Sequence, residues 1–138
     1  MHINIEFLVV AYFISLFIDW IFQWDWQAVN KSKWIKGNYG IALHAVLEHS
    51  AIYSILTTIG LTIIKILPSG NGNIQVFVFS VLFISHILID TRIPVKWIMR
   101  FKGMSWEQIN DIKTFGFMHI GIDHRLHEMV LVILAMFI

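Results

Sequence analysis

Four long apolar runs constrain this chain more than any other feature. They cover about residues 3–24, 40–67, 74–95 and 116–138. A helix rises about 1.5 Å per residue, so roughly 20 apolar residues cross a hydrocarbon core. Hydrophobic residues make up 57% of the chain and charged residues only 14%, where a soluble domain carries about a quarter. Mean hydropathy is +0.71. The pattern predicts an all-α polytopic membrane protein. It is read as a single integral membrane domain over 1–138, a four-transmembrane-helix bundle with a short interfacial helix in the third loop.

The connections carry their own signals. Asp25 to Tyr39 is polar and holds Lys31, Lys33 and Lys36, which predicts a loop. Trp20, Trp24, Trp26 and Trp34 bracket it as an interfacial aromatic belt. Pro68 to Asn73 is a turn, and Pro94 kinks or ends the third run. Gly103 breaks the next stretch, after which Ser105 can cap a short surface helix over Trp106 to Ile109. Ser50, Ser54, Thr57 and Thr58 suit helix–helix contact. Lysine and arginine concentrate in the first and third loops, with Arg100, Lys102 and Lys113 in the third. The positive-inside rule puts both loops in the cytoplasm and both termini outside. The N-terminal run lacks a basic lead and a small-residue cleavage site, so it reads as a retained span.

Composition also excludes function classes. A net charge of +1 leaves no concentrated basic footprint for nucleic acid. The absence of cysteine excludes disulfides and thiolate chemistry.

Polar pairs interrupt every apolar run at a spacing of four: Asp19 with Gln23, His44 with Glu48, His86 with Asp90, and Asp123 with His127. That spacing puts both members on one helical face. Alternating connectivity brings groups late in runs one and three beside groups early in runs two and four, at one depth near the cytoplasmic face. Ionisable groups inside a membrane cost kilocalories unless paired, solvated or bound to an ion. Imidazole with carboxylate suits a divalent metal, zinc first, with manganese or iron as alternatives, in one or two ions.

The expected metal ligands are His44, His86, Asp90, Asp123 and His127. Asp19 and Glu48 are candidates for a second metal, a bridging ligand or a general base. Gln23, Lys31 and Arg125 are candidates for holding substrate. His49 and His124 lie beside the main faces and are expected to point elsewhere, in interfacial or supporting roles. His2 is expected outside the site. Each histidine taken singly reads more simply as an interhelical hydrogen bond. The combined set favours a metal site over a proton or ion relay.

Asp19-Trp20-Ile21-Phe22-Gln23 followed by Lys31 resembles the opening D-F-x-x-Q…K signature of the bacterial and phage membrane family called domain of unknown function 3307. His44, the His86-x-x-x-Asp90 pair and Asp123-x-x-x-His127 are similar to that family's later elements. The resemblance runs from Asp19 to His127. Trp20 stands where phenylalanine is commoner, and Glu48 has no matched counterpart. The resemblance implies a small integral membrane protein, with a remoter similarity to inner-membrane metal-dependent hydrolases.

The leading expectation is therefore a membrane-embedded metal-dependent hydrolase. It would act on a phospholipid, a lipid-linked phosphate or a similar amphiphile. The alternatives are a non-enzymatic membrane effector with a structural metal site, and a metal or ion carrier. Expected partners are membrane lipid, and either a second copy of the chain or another membrane protein.

Overall fold

Asn4 begins the first helix, because its side chain accepts from the backbone N–H of Phe7 at 3.0 Å and satisfies one orphan donor. In this computed structural model, which describes residues 3–31 and 39–138, the chain is all-α. The first helix, α1 (Ile5–Phe22), stops where Gln23 turns extended. His2, Lys33, Trp34 and Lys36, which figure in the sequence reading, lie outside the described residues.

The expected first loop contains a helix, α2 (Asp25–Lys31). Its signals are present in sequence. Asp25 at the start and Lys31 at the end complement the helix dipole. Gln27, Asn30 and Lys31 recur at three and four residues and form a buried face against α3 (Tyr39–Ile63). The Gln27 side-chain oxygen accepts from the Trp24 N–H at 3.1 Å, closing the first turn.

The second apolar run ends as a helix at Ile63, short of Leu67. Lys65 adopts a left-handed φ of 63°. The N–H of Ile66 reaches the carbonyl of Leu61 and that of Lys65 reaches Thr62. This is a Schellman stop with lysine in the place usually taken by glycine. After the predicted turn, Asn71 caps α4 (Gly72–Asp90).

The third apolar run is cut earlier than its proline. α4 ends at Asp90, and Arg92 takes a left-handed φ of 59°. Pro94 then sits in the first turn of a separate helix, α5 (Ile93–Phe101), where its missing N–H is harmless. Ser105 caps α6 (Trp106–Asn110) with a full capping box to Gln108. Asp111 caps α7 (Ile112–Leu134), which starts four residues before the expected boundary.

The long helices pack in a ring: α1 on α3, α3 on α4, α4 on α7, and α7 on α1. The Asn4 N–H donates to the Ala135 carbonyl at 2.8 Å, tying the start of α1 to the end of α7. The main core runs through Phe7, Ala11, Leu61, Val78, Leu82 and Leu131. Ser50, Ser54, Thr57 and Thr58 are all buried along α3, as expected of contact residues. Gly60 lets α1 approach, since a Cβ there would stand 3.2 Å from Ile14 Cγ2.

Among the described residues, α1, α3 and α4 are long and apolar enough to cross a membrane. α7 has the length, at 23 residues, but carries too many polar groups to join them. A second, smaller core also lies against this helix. Val95, Met99 and Ile109 are buried against Phe115, Met118, Ile122 and Leu126. The first half of α7 thus packs on α5 and α6.

Candidate metal centre

The α1, α3, α4 and α7 helices each deliver a side chain to one buried cluster, and α2 adds a cation. Asp90, the last residue of α4, is 1% exposed. Lys31 Nζ donates to its Oδ1 at 3.2 Å and its Oδ2 at 3.3 Å. Around the same carboxylate lie His86 Nε2 at 3.6 Å, His49 Nε2 at 3.8 Å and His127 Nε2 at 3.9 Å. His49 Nε2 is also 2.9 Å from Asp19 Oδ1 and 3.4 Å from Gln23 Nε2.

The rings are held by stacking. Tyr53 lies face to face with His86, with centroids 4.0 Å apart. His86 is 4.3 Å from the His127 ring and 4.8 Å from the His49 ring. His86 therefore sits between two other imidazoles and a tyrosine. It is 1% exposed. Neither of its ring nitrogens has a hydrogen-bond partner among the described residues. Buried polar atoms are nearly always paired; His86 shares this lack of a hydrogen bond with Asp19 Oδ1, His49 Nδ1 and Asp123 Oδ1 close by and with the α3 hydroxyls.

Two donor groups overlap at this ring. One is Asp19, His49 and His86, and the other is His86, Asp90 and His127; within each, one ligand atom per residue lies within 4.8 Å of the others. These buried histidines and aspartates can hold a metal ion. The donor chemistry, neutral imidazole with carboxylate, is that of zinc, manganese or iron sites.

A cavity of about 40 Å³ opens beside the cluster, lined by Tyr12, Ser15, Asp19, Tyr53, His124 and His127 among others. It has room for at least one water. Asp19 and His127 are thus reachable from outside, while Asp90 is sealed behind them.

The sequence-predicted residues divide cleanly. His86, Asp90, His127 and Asp19 come together. Asp123 is half-buried with its Oδ1 unpartnered among the described residues, but belongs to neither donor group. His44 is exposed with its ring against Trp26, and Glu48 is half-buried; neither belongs to a donor group. Gln23 touches His49. Lys31 is committed to Asp90. Arg125 is on the surface, paired with Glu128 one turn along. The largest correction concerns His49. Expected to point elsewhere, it is 1% exposed and bridges Asp19 and Asp90. Its signal was its position four residues after Ala45 and four before Tyr53, on the small-residue stripe that faces the bundle, whereas His44 and Glu48 follow the opposite edge.

No protein-family profile, curated protein or solved structure matches this chain.

Proposed function

We propose that this protein is a membrane-embedded metal-dependent hydrolase acting on the phosphoester of a phospholipid, a lipid-linked phosphate or a similar amphiphile. The observation that carries the reading is His86, buried among ligand-type side chains with neither ring nitrogen hydrogen-bonded among the described residues and Nε2 3.6 Å from the Asp90 carboxylate. A purely structural histidine would use at least one of them. A set of donors from four helices also exceeds what packing alone requires.

In this reading α7 crosses the membrane with α1, α3 and α4, giving four spans. Of its polar residues, His127 faces the cluster and His119 is buried against Ile109 of α6, while the exposed Arg125 is neutralised by Glu128. Both termini lie outside, and α5 and α6 rest at the cytoplasmic interface, where Arg100, Lys102 and Lys113 meet anionic headgroups. Of the residues that carry the resemblance to domain of unknown function 3307, Asp19, Gln23, Lys31, His86, Asp90 and His127 meet at the cluster, whereas His44 is exposed and Asp123 belongs to neither donor group.

A divalent cation in the cluster, zinc first, would acidify water and offset the charge that develops on a phosphoryl group. The chain's own residues do the rest. The 40 Å³ cavity admits water to Asp19 and His127. His127, on the cavity wall, accepts the proton of the attacking water as the new P–O bond forms. It returns that proton to the leaving alcohol oxygen as the ester P–O bond breaks. Tyr53 fixes the His86 ring by stacking, and the Gln23 amide lies beside His49.

The test is hydrolysis of a panel of phospholipid and lipid-phosphate substrates by the purified protein in lipid nanodiscs supplied with zinc or manganese. The expected result is turnover that is lost with a chelator and in His86→Ala. Bound metal with no turnover across the panel would overturn the hydrolase and favour a membrane effector with a structural metal.

A further inference from the structure

The two donor groups share His86, so they are not equivalent once Lys31 is considered. Lys31 Nζ holds both oxygens of Asp90 at 3.2 and 3.3 Å, and both groups are almost fully buried. Asp90 therefore already has its cation. Asp19 has none at ion-pair distance among the described residues other than the His49 ring. His86 is buried without a hydrogen bond at either ring nitrogen among the described residues, and it belongs to the donor group of each carboxylate.

Resting on the metal reading above, we infer that the centre takes a single divalent cation, held by Asp19, His49 and His86, with Lys31 occupying the second position as a built-in counter-ion on Asp90. Three lines of physical chemistry agree. The two carboxylates in direct contact with the cluster carry two negative charges, and Lys31 cancels one. One divalent ion then leaves a small net charge in a poorly solvated site, whereas a second would leave a large one. Ligand atoms about 2.0–2.1 Å from a zinc ion at tetrahedral angles stand roughly 3.3 Å apart. His49 Nε2 and Asp19 Oδ1, now at 2.9 Å, need open only slightly to reach that spacing. Three protein ligands with the fourth position open is the pattern of a catalytic zinc site. Asp19 borders the water-sized cavity and Asp90 does not. The cavity would therefore let water reach the Asp19 side of the centre, next to His127.

Zinc stoichiometry and affinity, measured by elemental analysis and competition with a chromophoric chelator, distinguish the two carboxylates. Wild type should bind one zinc per chain. Asp19→Asn should weaken binding at least tenfold, while Asp90→Asn should still bind one ion within about threefold of wild type. Lys31→Met should admit a second ion, lost again on His127→Ala. The charge-neutral pair Lys31→Met with Asp90→Asn serves if either single variant fails to fold, and it should bind one zinc. Loss of zinc in Asp90→Asn or in that pair, with retention in Asp19→Asn, would overturn the assignment while leaving the metal reading intact. A wild-type protein that binds no zinc, manganese or iron would overturn both.

Discussion

Lys31 and Asp90, 59 residues apart in sequence, form a buried two-oxygen ion pair that pins α2 to the end of α4. Breaking one side of such a pair strands a charge at low dielectric, which typically costs about 3–5 kcal/mol. Lys31→Met should therefore lower stability by about that amount, and adding Asp90→Asn should recover most of it. Unfolding in detergent, followed by circular dichroism, gives the coupling energy. Additive losses in the double variant would mean that the pair does not act as a unit.

Lys65 ends α3 in a left-handed conformation. A non-glycine residue there costs about 1–2 kcal/mol relative to glycine. Lys65→Gly should raise the unfolding midpoint by an increment of about 1 kcal/mol, without changing metal content. A lower midpoint would show that the lysine side chain contributes more than its backbone strain removes.

His44 and His49 make a matched pair of tests, since they lie on the same helix five residues apart. His49→Ala should weaken zinc binding at least tenfold, and His44→Ala by less than twofold. Arg125→Ala, which breaks only a surface pair with Glu128, should behave like His44→Ala. Equal losses at His44 and His49 would mean that α3 is rotated from the arrangement described above.

Asp111 caps α7 from outside the apolar segments. Hydrogen bonding with Thr114 holds its carboxyl below the usual carboxylate range. A folded value below the unfolded one, about 3.9, stabilises the helix start above that pH and loses the contribution as pH falls through the folded value. Amide exchange at Lys113 to Phe115 should rise at acidic pH relative to the rest of α7, and Asp111→Asn should remove that pH dependence.

The helical class and part of the cluster were legible because both depend on local spacing. Apolar runs of membrane length foretold α1, α3 and α4, and the four-residue spacing brought His86 with Asp90 and pointed to Asp19 and His127. What was hidden depends on rotation and on partners distant in sequence. His44 and His49 both lie in the first half of α3 and look alike in sequence, yet five residues of helical rotation expose one and bury the other. Lys31 read as a loop lysine and a candidate for holding substrate, because its helix is only seven residues long and its partner lies on α4. The boundary at Asp90 was missed because the stop is made by Arg92 in a left-handed conformation rather than by Pro94.

The central claim is that Asp19, His49 and His86 form a metal centre around an otherwise unpaired imidazole. The most direct measurement is the metal content of the native protein, purified under metal-replete conditions without chelator, beside that of His86→Ala. The account predicts one tightly bound divalent ion per native chain and a loss of at least tenfold in the variant. A native protein that carries no metal, or a variant that retains it fully, would contradict it.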